Sequence, residues 1–311
     1  MAGLITLGVD VGGTNIKLGL VDQSGKILTR TRLETKSFIR SRKRLMTALA
    51  EAISHLIKQQ GFSRKNIRGI GLGLPGLIDV KKGIVTFLPN IPGWRNVPLK
   101  NFIEKKLRIP TFLDNDVNVI TLAEWKYGAG RKYTNLICIT LGTGVGGGLI
   151  LNNALYRGEG YAAGEIGHMP LNEQGPRCNC GGFGCFERYV GNKILQKKAA
   201  RIFRKKNIQF PDIYPLAKKG DRRARQFWQE AGEHIGNGLI GVVNLLNPRL
   251  IIIGGGVSNN LIFMKAKIEK VIRKRAMNVQ GRMVKIVRAQ LGDDAGIIGA
   301  QVLVEESYLG R

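Results

Sequence analysis

An α/β fold in two similar halves follows from three features of this sequence. Short apolar runs of strand length alternate along the chain with longer stretches of helical period. A strand, glycine turn and returning strand at Leu4–Val21 recur at Asn135–Leu151, about 130 residues later. The 311 residues suffice for two domains of ordinary size, each with a core of its own.

Leu4 to Asp10 reads as a buried strand that ends in Asp10-Val11-Gly12-Gly13-Thr14-Asn15. Ile16–Val21 returns beside it, and Gly25 turns the chain into a third strand, Ile27–Leu33. A glycine turn of this kind offers backbone N–H groups to an oxyanion with no side chains in the way. It is not a P-loop, because the Gly-x4-Gly-Lys-Ser/Thr spacing is absent. Arg40–Gln60 has helical period, with Leu45, Leu49, Ile53 and Leu56 on one stripe and Gly61 as its stop. Ile67–Leu74 is the next strand, closing in Pro75-Gly76. In the turn-rich loop Leu88–Val97, Asn90 and Trp94 are the groups that could touch a ligand, and Trp94 suits packing between layers better. Leu99–Leu107 is a short helix and Thr111–Leu113 a short strand.

That strand runs into Asp114-Asn115-Asp116 and a helix, Val117–Tyr127. Asp114 or Asn115 can cap the helix. Asp116 suits a general base, because ligands of open α/β sheets gather at the carboxyl ends of strands. Asn135–Leu141 is the next strand, followed by the glycine turn 142–148 and a returning strand, Leu149–Leu151. Two such turns converging on one anion would cradle a triphosphate. Farther on come a basic helix, Tyr189–Lys206, and a long one, Asp221–Leu246, broken by Asn247-Pro248. Strand Arg249–Ile253 enters Gly254-Gly255-Gly256, where a flat base or ribose can approach the backbone. A helix at about 259–275, a strand at Val284–Val287 and a final helix, Asp294–Tyr308, complete the chain.

Between Gly164 and Arg188 lies the densest chemistry. Three of the four cysteines, Cys178, Cys180 and Cys185, stand there with His168, one of three histidines. Three thiolates and an imidazole make the closed tetrahedral set that one structural Zn2+ takes. The plain alternative is three buried free thiols in a glycine-rich loop. Disulfides are not expected, since no secretory signal implies an oxidising compartment. Glu165 precedes His168 by three residues and would share a face with it on a helical turn. Glu187 follows Cys185 by two. A zinc loop with acids at both ends can present hydrogen-bond acceptors to a polyol; the plain alternative is that Glu187 merely opens the next helix.

No apolar run approaches the roughly 20 residues of a membrane span, and Met1–Asp10 lacks the pattern of a signal peptide. A cytoplasmic protein is therefore expected. The net charge of +27 gathers in runs at Lys36–Arg44, Lys193–Lys206 and Lys265–Arg288. Dispersed runs without interleaved aromatics read as solvated helix faces, and no specific nucleic-acid partner is expected.

Together these stretches resemble the ROK family (repressors, open reading frames and sugar kinases). The likeness follows the chain in order: Asp-Val-Gly-Gly-Thr-Asn at 10–15, Leu-Pro-Gly at 74–76, Pro-Asn-Ile-Pro-Gly-Trp at 89–94, Asn-Asp at 115–116 and Gly-Thr-Gly-Val-Gly-Gly-Gly at 142–148. It continues in Glu-Ile-Gly-His at 165–168, Cys-Asn-Cys-Gly-Gly-Phe-Gly-Cys-Phe-Glu at 178–187 and Gly-Gly-Gly at 254–256. The cysteine segment is the most specific. The resemblance implies the actin-like, ribonuclease-H-like ATPase fold, two similar α/β domains flanking a cleft. The small domain would span residues 1–117 plus the last helix, 295–311, and the large one 118–294. It implies an ATP-dependent hexose kinase, glucose first, with Asp116 as base. Gly76, Asn90, Asn115, Glu165, His168 and Glu187 would bind the sugar. Asp10, Gly12, Gly13, Thr14, Asn15, Lys17, Gly142, Thr143, Gly144, Gly254, Gly255 and Gly256 would hold the nucleotide, with Asp10 near Mg2+. His168, Cys178, Cys180 and Cys185 would hold zinc, with the other nitrogen of His168 toward the sugar. A homodimer is expected, polyphosphate is an alternative donor, and fructose, mannose or an N-acetylhexosamine are alternative acceptors. A sugar-responsive repressor is the rival; it needs a DNA-binding helix-turn-helix, for which a first strand starting by Leu4 leaves no room.

Overall fold

Uninterrupted apolar runs become the central strands, because a strand covered on both faces has no use for alternation. The computed structural model describes residues 4–35, 38, 41–88 and 93–309. Two compact units divide the chain. The first takes Met1–Arg131, Leu155–Ala163 and Leu291–Arg311, and the second Lys132–Ala154 and Gly164–Gln290.

In the first unit, β1 (Ile5–Val11), β2 (Asn15–Val21) and β3 (Ile27–Glu34) form an antiparallel meander. Helix α1 (Arg42–Gln59) is capped by Ser41 and buries Leu45, Leu49, Ile53 and Leu56. It leads to β4 (Ile67–Leu74), which pairs parallel with β1. A small sheet of β5 (Leu77–Asp79), β6 (Ile84–Phe87) and β7 (Arg95–Val97) follows, in a stretch read from sequence partly as loop. Trp94 beside it is buried in the core, as its packing role requires. Helix α2 (Leu99–Leu107) then precedes β8 (Thr111–Asn115), parallel to β4, and α3 (Asp116–Lys126). The sheet order is β3-β2-β1-β4-β8.

The second unit repeats that plan. Strands β9 (Leu136–Leu141) and β10 (Val145–Leu151) are antiparallel around the second glycine turn, and β11 (Ala154–Tyr156) follows. Helix α4 (Glu187–Val190) and helix α5 (Asn192–Phe203) replace the single basic helix read from sequence. Extended Gly191 interrupts it, and the N–H of Asn192 turns to the Gly142 carbonyl at 2.8 Å. Helix α6 (Phe210–Lys218) was hidden by its prolines; Pro211 sits in the first turn, where its missing N–H costs nothing. Helix α7 (Arg222–Leu246), capped by Asp221, precedes β12 (Leu250–Gly254), α8 (Leu261–Arg275), α9 (Asn278–Met283) and β13 (Lys285–Arg288). The sheet order β11-β10-β9-β12-β13, with β9, β12 and β13 parallel, matches the first sheet position for position.

The last helix, α10 (Ala295–Leu309), is apolar nearly all round and buried from Ala295 to Val304. It packs on β1, β4 and α3. Where the sequence suggests a boundary at residue 117, contacts group α3 with the first unit, which runs to Arg131 and also takes Leu155–Ala163. No helix among the described residues is long and apolar enough to cross a membrane. The basic runs at α5 and α8 lie on exposed helix faces and share ion pairs such as Lys205–Asp212 and Lys267–Glu233.

Candidate active site

The parallel pairing of β1, β4 and β8 brings their carboxyl ends to one edge of the first sheet. Asp10, near the end of β1, is half-buried, and desolvation pushes its carboxyl above the usual range; Lys17 opposes the shift and Asp293 adds to it. Its neighbour on α10 is Gly296, where a Cβ would stand 2.5 Å from the Asp10 carboxyl carbon, so only glycine lets helix and acid meet. Lys17 Nζ donates to the Asp293 carbonyl at 3.1 Å. The turn closes when the Gly12 N–H donates to the Asn15 carbonyl at 2.9 Å. Thr35 braces it from behind, its hydroxyl donating to the Gly12 carbonyl at 2.8 Å and its N–H to the Thr14 carbonyl at 2.9 Å. Gly13 and Thr14 remain exposed at the tip.

At the end of β8 the three residues Asp114, Asn115 and Asp116 divide the work. Asn115 is the cap of α3, its Oδ1 accepting from Val117 N at 2.8 Å and Asn118 N at 3.3 Å. Its Nδ2 donates to the Gly76 carbonyl at 3.1 Å, which fixes the turn after β4. Asp116 is half-buried in the first turn of α3, where the helix dipole favours a carboxylate, and accepts from Val117 N at 2.9 Å. Asp114 is buried and bonded to Arg157 Nε at 2.7 Å. Arg157 is a residue that the sequence reading passed over; nothing in its local spacing marks it. Asn90 lies outside the described residues.

In the second unit, the carboxyl ends of β9 and β12 likewise share an edge. Gly142 N donates to the Gly144 carbonyl at 3.0 Å, and Thr143 is exposed at the tip. The turn at Gly254–Gly256 packs against the end of β9, with Gly255 against the Leu141 carbonyl, and Ser258 Oγ donates to the Gly255 carbonyl at 2.7 Å. Asn192, also overlooked, joins the two turns. Its backbone holds Gly142, its Nδ2 lies 3.7 Å from where a Gly256 Cβ would be, and its Oδ1 is buried without a partner among the described residues.

The cysteine loop belongs to the same unit. Ligand atoms of His168, Cys178, Cys180 and Cys185 all lie within 4.8 Å of one another. Tetrahedral zinc with Zn–S bonds of about 2.3 Å needs sulfurs about 3.8 Å apart, and Cys180 and Cys185 sulfurs stand 3.6 Å apart. All four cysteines are free thiols in the structure. The backbone wraps the cluster through Cys178 N to the Gly182 carbonyl at 2.8 Å and Gly184 N to the Pro176 carbonyl at 3.0 Å. Burial pushes the Cys178 thiol up to about 12 and the Cys185 thiol upward, while the Gly182 N–H pulls exposed Cys180 down. The donor set thus fits zinc, which would hold the sulfurs as thiolates.

Both flanking acids reach this cluster. Glu165 caps a 3-10 turn, Ile166–His168, and its Oε2 lies 3.8 Å from His168 Nε2. His168 Nδ1 points the other way, 3.8 Å from Cys178 Sγ, so the two ring nitrogens have separate partners. Glu187 opens α4 and also touches the cluster, accepting from Cys178 Sγ at 3.2 Å. Its Oε2 lies 2.5 Å from where a Cβ on Gly144 would stand. Glu187 is therefore the link between the cysteine loop and the glycine turn.

A profile described as the ROK family matches residues 6–307. The chain belongs to the ROK family. The glucokinase of Streptomyces coelicolor is 33% identical over 97% of this chain and 98% of its own length. The xylose repressor of Bacillus spizizenii is 33% identical over 98% of this chain and 78% of the repressor. The crystal structure of a ROK glucokinase from Streptomyces griseus, in complex with glucose and AMPPNP, matches with a TM-score of 0.82 at 33% identity, covering 97% of this chain and 99% of that one. The fold of this ROK protein is accordingly the actin-like ATPase fold, and the two matching sheets are its signature.

Proposed function

We propose that this ROK protein is a sugar kinase that moves the γ-phosphoryl group of ATP to a hexose hydroxyl, glucose before other sugars. The observation that carries this reading is Asp116, an acid set at a strand-to-helix junction whose neighbours on both sides are fixed by hydrogen bonds. Asp116 takes the proton of the attacking hydroxyl. Glu165, His168 and Glu187, gathered on the cysteine loop, accept from and orient the other hydroxyls, with Asn115 and Asn90. The turns at Gly12–Asn15, Gly142–Gly144 and Gly254–Gly256 offer N–H groups to the phosphates and open backbone to the base. Asp10 would stand by a magnesium ion, which supplies charge neutralisation for the phosphates; a half-buried carboxylate disfavoured by desolvation is what a cation stabilises. His168, Cys178, Cys180 and Cys185 would hold zinc, whose part is to fix the loop that carries the acids. The reading includes a cytoplasmic homodimer.

A coupled assay across a panel of hexoses, with ATP and polyphosphate as donors, tests it. Phosphorylation of glucose with ATP supports the full reading; another sugar or donor keeps the kinase and changes its specificity. The likeness to xylose repressors gives a second reading, sugar binding without turnover. Sugar affinity by calorimetry, with no phosphorylation of any sugar in the panel, would favour it.

A further inference from the structure

Arg157 lies in Leu155–Ala163, a segment that belongs to the first unit although the chain on both sides of it belongs to the second. The segment closes on itself, Ala163 N donating to the Arg157 carbonyl at 2.9 Å and Tyr161 N to the Gly158 carbonyl at 3.3 Å. From this small loop the Arg157 side chain, 27% exposed, reaches Asp114, whose side chain is 2% exposed, and donates from Nε to Oδ2 at 2.7 Å. The other carboxylate oxygen of Asp114 is spent on the junction. Oδ1 accepts from Asn115 N at 2.7 Å and from Asn118 Nδ2 at 2.9 Å. These two donors stand immediately before and two residues after Asp116.

We propose that Arg157 is a positioning residue for Asp116, acting through Asp114; the proposal rests on the sugar-kinase reading above. Three physical points support it. A buried ion pair contributes little net stability, because desolvation consumes most of the attraction, so stability alone gives little reason for one here. Asp114 holds a backbone N–H and an amide together on one oxygen, and Arg157 occupies the other with a charge-assisted bond. Asp116, bracketed by those two bonds, has its place set by where Asp114 stands, and displacement of a reacting group by about 1 Å can cost a hundredfold in rate. Arg157 touches no atom that reacts.

The test uses the full chain and compares Arg157→Met, Arg157→Lys, Asp114→Asn and the double variant Asp114→Asn/Arg157→Met, with kcat, KM for sugar and ATP, and thermal midpoint measured for each. Arg157→Met should lower kcat roughly ten- to a hundredfold with either KM changed less than about threefold. Arg157→Lys should recover part of the loss, since it restores the charge without the fork. The double variant removes the stranded charge, so it should regain most of the thermal midpoint and none of the kcat; it also carries the test if Arg157→Met fails to fold. Millimolar guanidinium should restore part of the turnover of Arg157→Met. Recovery of kcat together with the thermal midpoint in the double variant would reduce Arg157 to a structural part and overturn the proposal. So would a kcat of Arg157→Met within about twofold of wild type, which leaves the kinase reading standing. A wild-type protein that phosphorylates no sugar overturns both.

Discussion

At Asp114–Asp116 the geometry is held by regular structure. A parallel strand delivers the residues, an Asn cap turns them into a helix, and a buried ion pair locks the corner. At Cys178–Cys185 there is neither helix nor strand, only turns and the isolated bridges Pro170–Cys185 and Arg177–Phe183. In the first region backbone and side-chain groups satisfy one another. The second has only turn bonds such as Cys178 N to the Gly182 carbonyl, and its four convergent ligand atoms are what can reinforce them. A side-chain change in the first should therefore alter chemistry with shape kept, whereas a side-chain change in the second should alter shape itself.

The sharpest way to break this contrast is Asp116→Asn. It should lower kcat by about 100- to 10,000-fold while circular dichroism, zinc content and sugar affinity stay near wild type. Near-normal turnover would remove Asp116 from the mechanism. Cys180→Ala attacks the other side. Metal analysis should find about one zinc per wild-type chain and none in the variant, and sugar affinity should fall by about a hundredfold with the metal. Zinc lost with sugar affinity unchanged would cut the link between loop and pocket.

Between these lie the acids at the loop ends. Glu165→Gln or Glu187→Gln should each cost about 1.5–3 kcal/mol, roughly ten- to a hundredfold in kcat/KM for the hexose, with KM for ATP little changed. Of the two, Glu187→Gln should disturb ATP more, because Glu187 lies against Gly144. The smallest effect is on stability. Burial raises the folded-state pKa of Asp10, so the folded protein binds a proton more tightly than the unfolded chain. Stability is then lost as pH rises from the unfolded value through the raised one. Asp10→Asn removes that penalty and should raise the thermal midpoint at pH 7 by about 1–4 °C while activity collapses, a gain that vanishes near pH 4. A scan of midpoint against pH for the two proteins reads it directly.

Legibility in the sequence followed the range of the interaction. The central strands β1, β4, β9 and β12 showed themselves because each is a nearly unbroken apolar run. The cluster showed itself because three of its ligands fall within eight residues of chain. Arg157 did not, since its partner stands 43 residues away and no local period records that. Asn192 did not, because an asparagine opening a helix has an ordinary capping explanation. The β5–β7 sheet is built of strands of three or four residues among turn formers, too short for alternation to register. The grouping of α3 with the first unit was illegible for a related reason: contacts of α3 with α10 mark it, and those helices lie far apart in the sequence.

That last contact has an implication for synthesis. Helix α10 is buried from Ala295 to Val304 against the sheet of the first unit, and Tyr308 near its end donates to the Arg68 carbonyl at 3.0 Å. The unit begun first on the ribosome thus waits for the residues translated last, while the second unit has all of its chain by Gln290. Vectorial folding should run backwards here, the later unit maturing before the earlier one. A chain ending at Gln290 and released from the ribosome would hold all of the second unit, together with a first unit whose apolar sheet face is uncovered.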